Sequence, residues 1–161
     1  MQFPKKAVTS IAIAATCLTA ILAYYNNHPT MPTYGWRVAT DTTSGISFNY
    51  PESLPTNYIH AEAWPPTITV TDGVPTCTEK KTINSKAYCV TAESEGAAGS
   101  TYTTYSYATE KLGKTITLSF ILRAVQCMNY DNPQQAECLK ERATFDIDAL
   151  ASRILESATI K

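Results

Sequence analysis

The sequence lacks the short motifs that several large enzyme classes require. It contains two histidines, His28 and His60, among 161 residues. The G-x-S-x-G pattern of serine hydrolases and the H-E-x-x-H pattern of zinc proteases are both absent. There is also no C-x-x-C pair, which excludes the common thiol-redox motif. The sequence therefore favours no catalytic class, and we expect no cofactor.

An excess of charge is also missing. The chain has 13 lysines and arginines against 14 acidic residues, for a net charge of −1. Without Lys5 and Lys6 the remainder carries about three more acidic than basic residues. A nucleic-acid-binding domain usually shows a basic stripe or cluster, and none is visible here. Nucleic acid is therefore excluded as an expected partner.

The N-terminal segment holds the most informative pattern. Residues 7–25 carry no charge and follow Lys5 and Lys6. A membrane-spanning helix needs about 17–25 apolar residues, whereas the apolar part of a cleaved signal peptide has about 7–15. The length predicts that residues 1–25 form a transmembrane signal-anchor. The two lysines would stay in the cytoplasm by the positive-inside rule.

Two other fates of this segment stay open. The small residue Ala23 offers a cleavage site, and Cys17 offers a site for lipid attachment. Residues 26–33 contain two prolines and are predicted to form a linker. Residues 34–161 then form one extracytoplasmic domain of ordinary size. The expected location is the bacterial cytoplasmic membrane, with a single pass and the C-terminal domain facing the periplasm or cell surface.

Four cysteines lie in the predicted domain: Cys77, Cys89, Cys127 and Cys138. Outside the cytoplasm they are expected to form disulfides. Three connectivities are possible, and the short separations favour Cys77–Cys89 and Cys127–Cys138. Structural zinc sites use closer pairs, such as C-x₂₋₄-C, so the spacing disfavours zinc. We expect no metal.

Alternation of apolar and polar residues predicts strands in the first part of the domain. They lie near residues 34–39, 46–50, 68–72, 86–92, 102–109 and 116–122. The last two flank Gly113 and form the clearest predicted hairpin. Strands followed by helices indicate an α+β domain, in which an antiparallel sheet is packed by C-terminal helices.

The end of the chain carries helix signals. Asn132 is a candidate N-cap for a short helix that has Pro133 at its first position and ends near Arg142. Thr144 is a candidate N-cap for a second helix. The apolar residues of that helix recur at helical spacing from Ile147 to Ala158 and predict a stripe that lies across the sheet.

Residues 34–54 read YGWRVATDTTSGISFNYPESL, and residues 145–160 read FDIDALASRILESATI. These two segments resemble the opening strands and the closing helix of PsbP-like domains. The middle of the chain, with YCVTAESEGAAGSTYTTYSY and LRAVQCMNYDNPQQAEC, resembles bacterial envelope proteins of unknown function that have one N-terminal anchor. Typical PsbP-like domains lack the two cysteine loops, so this resemblance implies a fold and no photosystem role.

A small group of residues forms the candidate ligand site. Glu93 and Glu95 would point to the same side of a strand, about 7 Å apart, which is within the separation that the paired carboxylates of a glycoside hydrolase need. The following GAAGS segment offers Gly96, Gly99 and Ser100 as an anion-holding loop, although the Gly-Lys-Ser/Thr ending of a phosphate-binding loop is missing there. A solvated strand end and a plain loop are the simpler explanations of these two features.

Aromatic and other polar residues leave further alternatives. Tyr102, Tyr105 and Tyr107 form, with Trp64, either an aromatic platform for a glycan or peptide or ordinary packing across the sheet. His60 with Glu62 is a possible catalytic pair, and a surface histidine is the simpler interpretation. Asp131, Asp146 and Asp148 are possible metal ligands, but helix capping and turn formation also explain them.

Three functions are consistent with these patterns. The first is a membrane-anchored, non-enzymatic binding or accessory module whose partner is an extracytoplasmic protein, peptide or glycan. The second is an envelope hydrolase that uses Glu93 and Glu95. The third is an inhibitor-like or structural envelope protein.

Overall fold

The computed structural model describes residues 35–42, 45–77 and 79–160. The predicted signal-anchor (1–25) and linker (26–33) lie outside these residues. Within the described part, no helix has the length and apolar character needed to cross a bilayer. The described residues form an α+β domain in which mostly antiparallel strands are followed by two helices.

A five-stranded antiparallel sheet is the main element. Its strand order is β3-β7-β6-β5-β4. The strands span Ile59–Asp72 (β3), Lys80–Ile83 (β4), Lys86–Ala97 (β5), Ser100–Lys111 (β6) and Lys114–Val125 (β7). The predicted hairpin is confirmed, since β6 pairs with β7 along its whole length. The strands are longer than predicted. Their polar ends, such as Glu93–Ala97, lack the alternation of apolar and polar residues on which the prediction was based.

Tight two-residue turns set the register of both long hairpins. Ala98 and Gly99 join β5 to β6, and Leu112 and Gly113 join β6 to β7. All four residues have positive φ, between 48° and 74°. Two successive positive φ values are the mark of the type I′ turn, whose twist matches that of antiparallel strands.

A second, three-stranded sheet has the order β1-β2-β8. Its strands span Trp36–Asp41 (β1), Ile46–Pro51 (β2) and Thr159–Ile160 (β8). The short β8 follows the last helix and pairs antiparallel with Ile46 and Ser47. The start and the end of the domain therefore meet in this sheet.

Two helices follow the strands. Helix α1 spans Gln134–Thr144, and helix α2 spans Ile147–Ser157. The apolar stripe of α2 is confirmed, because its apolar residues at helical spacing are buried: Leu150, Ala151, Ile154 and Leu155. They lie against the face of the large sheet that carries Tyr107, Leu118 and Phe120, which we call the helix face. The opposite side is called the open face.

The helix caps differ from the predicted ones. Pro133 occupies the N-cap of α1, and no side chain caps that helix. Asp146 caps α2 through a hydrogen bond from the Ala149 amide to its Oδ1 (2.8 Å). The Thr144 hydroxyl instead donates to the Lys140 carbonyl at the end of α1. The two helices are so close in sequence that Thr144 still belongs to the first one.

Both predicted disulfides are confirmed. The Cα atoms of Cys77 and Cys89 are 5.0 Å apart, and those of Cys127 and Cys138 are 5.5 Å apart. Each falls in the usual range of about 4.4–6.8 Å. The first bond ties the segment before β4 to β5. The second ties α1 to the 3-10 helix Cys127–Asn129, which follows β7.

Glu141 of α1 holds the beginning of β3. Its carboxylate accepts hydrogen bonds from the backbone amides of Asn57, Tyr58 and Ile59, at 2.7, 2.7 and 3.1 Å. Backbone amides without an acceptor are costly when they are removed from water. One side chain therefore satisfies three donors at the point where the chain enters the large sheet.

We expect Glu141→Ala to lower the free energy of unfolding by about 2 kcal/mol, because charge-assisted hydrogen bonds to three amides are lost together. The measurement is chemical denaturation followed by circular dichroism. Glu137→Ala is the matched control on the same helix, since its carboxylate has only a long contact (3.4 Å) with the Tyr58 hydroxyl. Equal losses in the two variants would contradict this role of Glu141.

Candidate functional site

The residues predicted as a ligand site do not all share one face of the sheet. The pairing registers set Glu93, Glu95 and Tyr102 on the open face, and Tyr105 on the helix face. This division follows from the alternation of side chains along a strand, because residues 102 and 105 are an odd number of positions apart.

Glu93 and Glu95 lie as predicted on the same side of β5, and both are exposed. They face Thr104 and Tyr102 of β6. A third carboxylate of the open face, Glu62, accepts a hydrogen bond from Arg123 Nε at 3.0 Å. The predicted pair of His60 with Glu62 is therefore replaced by an ion pair between neighbouring strands.

The GAAGS segment is a hairpin turn and not the open loop that the sequence favoured. Gly96 belongs to β5, Ser100 begins β6, and Ser100 is buried. The Gly99 carbonyl accepts hydrogen bonds from the Gln126 amide (2.9 Å) and the Asn129 side chain (3.1 Å). A Cβ atom on Gly99 would lie 2.8 Å from Asn129 Nδ2. The positive φ favours glycine at this position, and a side chain there would also displace Asn129 from the Gly99 carbonyl.

Three of the four residues considered as an aromatic platform, Tyr105, Tyr107 and Trp64, form an aromatic ladder around Phe120, whereas Tyr102 lies on the open face. Phe120 lies 5.6 Å from Tyr105, 6.2 Å from Tyr107 and 6.2 Å from Trp64, measured between ring centroids. Trp64 Nε1 donates to the Pro51 carbonyl at 2.7 Å, which links the two sheets. These rings support packing of the helix face, as the simpler interpretation of the sequence had it.

Tyr107 is the most deeply placed polar group of this ladder. Its side chain is 1% exposed, and its hydroxyl donates to Asp148 Oδ1 at 2.8 Å. Burial, and then the hydrogen bond to Asp148, raise the pKa of Tyr107 far above its usual value. Asp148 also forms an ion pair with Lys81 of β4 (2.6 Å). The contacts of Asp148 with Tyr107 and Lys81 therefore hold α2 against the sheet.

The three aspartates considered as possible metal ligands are used elsewhere or stand apart. Asp146 caps α2, Asp148 binds Tyr107 and Lys81, and Asp131 is exposed ahead of α1. In the described residues, no group of three or more His, Cys, Asp or Glu side chains is arranged to hold a metal ion.

The open face carries a feature that sequence reasoning missed. Hydroxyl side chains form matched rows across neighbouring strands: Thr67 faces Ser119, Thr69 faces Thr117 and Thr71 faces Thr115. Ser106 and Thr91 continue the first row into β6 and β5. The signal was visible in the segments TITVT and TITLS, where every second residue is Thr or Ser. Its meaning depends on which strands become neighbours.

A cleft of about 430 Å³ lies at one end of this face. The segment Gly73–Cys77, which we call the arm, forms its wall. The large sheet forms the floor of the cleft. Six hydroxyl side chains line the cleft: Thr71, Thr76, Thr91, Ser106, Thr115 and Thr117. We call it the hydroxyl cleft. Its volume falls in the range of about 300–1,000 Å³ that is typical of small-molecule sites.

Several contacts hold the arm over the sheet. The disulfide from Cys77 reaches Cys89 of β5, and Thr115 Oγ1 donates to the Gly73 carbonyl at 2.7 Å. Both ends of the arm are thus fixed. Val74 between them is 70% exposed, so the wall presents an apolar side chain above a polar floor.

The charge of the hydroxyl cleft is low. Asp72 is the one charged residue among the described lining residues, and it forms an ion pair with Lys114 Nζ at 3.2 Å. Of the six hydroxyls, five make no hydrogen bond within the described part of the chain, and only Thr115 is engaged. The cleft therefore offers uncharged donors and acceptors to a ligand.

Three chains among the solved structures match this chain. No family model matches the chain, and no curated protein matches it. The chain is similar to the solution structure of cyanobacterial PsbP (CyanoP) from Synechocystis sp. PCC 6803, with 15% identity and a TM-score of 0.29. The match covers 82% of this chain and 98% of that one. At these values the similarity supports no conclusion about the fold or the activity of this chain.

The buried tyrosines predict a loss of stability at alkaline pH. Burial raises the pKa of Tyr88 to about 12, and that of Tyr107 is raised further. An unfolded tyrosine ionises near pH 10. Each raised pKa adds stability that is fully present below pH 10 and is lost as the pH rises towards the folded-state value.

We expect the free energy of unfolding to fall as the pH rises above 10. In Tyr107→Phe the slope of this fall should be smaller by about 1.4 kcal/mol per pH unit, which is the contribution of one tyrosine. Urea denaturation at a series of alkaline pH values measures this slope. A Tyr107→Phe variant with the slope of the unaltered protein would show that Tyr107 ionises equally in both states.

Proposed function

We propose that this protein is a membrane-anchored extracytoplasmic binding module, and that the hydroxyl cleft binds a neutral glycan without a catalytic step. The observation that carries the proposal is the hydroxyl-lined floor beneath the arm. Sugar rings combine apolar faces with hydroxyl edges. Thr and Ser hydroxyls both donate and accept hydrogen bonds, so they match such edges without any charge.

The wall of the cleft supports the same ligand. Val74 and Pro75 give it apolar surface opposite the hydroxyls of the floor. Sites for small molecules commonly combine apolar walls with a few polar groups that fix the orientation of the ligand. A sugar ring would fit between this wall and the hydroxyl-lined floor, with its apolar face towards Val74.

Charge argues against ionic ligands. A phosphate or an acidic sugar would meet no cationic side chain among the described lining residues, and it would lie next to Asp72. A hydrolase that uses Glu93 and Glu95 finds less support, since neither carboxylate lines the cleft. Their exposed position on the same open face leaves them available to contact a longer ligand.

The proposed location is supported by two features. Disulfides persist in oxidising compartments and are rare in the cytosol, and this domain has two. The uncharged run of residues 7–25, behind Lys5 and Lys6, has the length of a membrane-spanning helix.

We expect full-length protein in detergent to bind at least one of a panel of neutral oligosaccharides derived from cellulose, chitin and starch. Thr117→Val keeps the shape of the side chain and removes its hydroxyl. It should weaken binding about two- to tenfold, the equivalent of one hydrogen bond. Saturation-transfer NMR identifies the ligand, and titration gives the Kd.

Thr104→Val is the matched control, because Thr104 is exposed on the same face but outside the cleft. Its Kd should equal that of the unaltered protein. The proposal is overturned if no neutral oligosaccharide binds, or if the two valine variants are affected equally.

The proposed location has its own test, which is peptide mass analysis under non-reducing conditions of protein taken from the membrane fraction. We expect Cys77–Cys89 and Cys127–Cys138 cross-linked peptides together with an intact Met1–Lys6 end. Free thiols at these four positions would overturn the assignment to an oxidising compartment. A start after Ala23 would replace the anchor with a cleaved signal peptide.

A further inference from the structure

Strand β3 forms one edge of the large sheet. Among the residues that the structure describes, β3 pairs with β7 and with no other strand in the order β3-β7-β6-β5-β4. Residues Thr67–Thr71 form its regular final part, beyond the register shift between Glu62 and Thr67. We call residues Thr67–Thr71 the free edge. An unpaired edge is a template for the addition of another strand.

The hydrogen bonds of β7 show which backbone groups of the free edge face outward. The Val125 amide donates to the Tyr58 carbonyl (3.1 Å), so the odd-numbered residues of β7 direct their backbone polar groups towards β3. Pairing of β7 with β6 has no register shift, so this alternation continues to Thr115. Thr117 lies opposite Thr69. Ile68 and Val70 therefore direct their N–H and C=O groups away from the sheet.

The other edges of the two sheets are protected in ways that the free edge is not. Strand β4 has four residues and begins with Lys80 and Lys81, and β1 carries Arg37 and Asp41. Short length and charged side chains are the usual protection against edge pairing. The free edge has no charge, no proline and no bulge, and all five of its residues are β-branched.

The sequence of the free edge complements itself. Read in either direction, the free edge alternates threonine with a β-branched aliphatic residue: Thr67-Ile68-Thr69-Val70-Thr71. When two copies pair antiparallel with Thr69 on the two-fold axis, threonine faces threonine and Ile68 faces Val70. The outward groups of Ile68 and Val70 then bond each other across the axis.

Pro66 and Gly73 limit the register to this arrangement. Asp72 would face Pro66 of the second copy. The Asp72 amide could donate to the Pro66 carbonyl, but the Asp72 carbonyl would find no donor because proline has no N–H. A shift by two residues in either direction brings Pro66 or the arm into the paired segment. Centring on Thr69 keeps all five residues of the free edge paired.

We propose that the free edge pairs with the free edge of a second copy of this chain, giving a symmetric dimer with one continuous ten-stranded sheet. The pairing uses the free edge of both copies and leaves the protected β4 strands outside. A closed dimer results, and not a filament. The two open faces lie on the same side of the joined sheet, so two hydroxyl clefts would face one surface. The dimer does not depend on which ligand the cleft binds.

Directed disulfide formation tests the register. Residue 69 would face itself across the axis as a pair without backbone hydrogen bonds, at a Cα separation of about 4.5 Å. That distance is within disulfide range. Full-length Thr69→Cys, in a Cys17→Ser background, should form a cross-linked dimer under mild oxidation. Thr67→Cys should not, because residue 67 and its counterpart would be about 13 Å apart.

A mixture of Thr67→Cys and Thr71→Cys proteins should cross-link, because these two positions face each other in the proposed register. Thr104→Cys, exposed on the same face of a central strand, measures random collision. We expect at least about tenfold more dimer for Thr69→Cys than for Thr104→Cys, given the narrow distance range of a disulfide. Equal yields, or no cross-linked dimer in either the 69 or the 67/71 experiment, would overturn the proposal.

Sedimentation over a concentration series of the full-length protein is the second measurement. Thr69→Lys would set two ammonium groups against each other at the axis and should shift dimer formation to at least about tenfold higher concentration. Thr104→Lys should leave it unchanged. A protein that is monomeric at every concentration, or that responds equally to both substitutions, contradicts the dimer and leaves the free edge as a site for an extended peptide.

Discussion

In this domain the apolar stripe of α2 lies against one face of the five-stranded sheet, and most other features depend on that packing. Leu150, Ala151, Ile154 and Leu155 are buried there together with the aromatic ladder around Phe120. Burial of a large aliphatic side chain stabilises a fold by about 1.5–3 kcal/mol. The polar bond between Tyr107 and Asp148 fixes how the helix sits on the sheet. Because α2 covers this face of the sheet, polar side chains such as those of Thr117 and Ser119 lie on the opposite face.

The open face acquires its shape from the arm and the first disulfide. The chain must travel from β3 at one edge to β4 at the other, and the arm makes this crossing over the open face. The bond between Cys77 and Cys89 fixes its far end, and the Thr115 hydroxyl fixes its near end. A crossing of this kind converts a flat polar surface into a cleft. The disulfide thus contributes to the proposed binding site as well as to stability.

The hydroxyl cleft and the proposed dimer meet in the regular threonines of β3, because Thr71 lines the cleft and also ends the free edge. Side chains of Thr67, Thr69 and Thr71 lie on the open face, while their neighbours Ile68 and Val70 present backbone groups at the edge. Hydroxyls without charge suit a neutral ligand, and their β-branched form suits an added strand. If both proposals hold, joining two sheets would double the glycan-binding surface on one side of the dimer.

The sequence by itself determined the α+β class, the central hairpin and the amphipathic stripe of α2, because each depends on residues close together in the chain. It only favoured the two disulfide pairings by their short separations, and the structure decided them. The sequence missed the true caps of the helices, since Thr144 satisfies the end of α1 before it can begin α2. The candidate site was only partly predictable. Glu93 and Glu95 share a face by simple alternation, but Tyr102 and Tyr105 separate by the same rule. Only the tertiary structure decided the hydroxyl cleft and the free edge, since both require strands that are distant in sequence, β3 and β7, to become neighbours with Thr69 opposite Thr117.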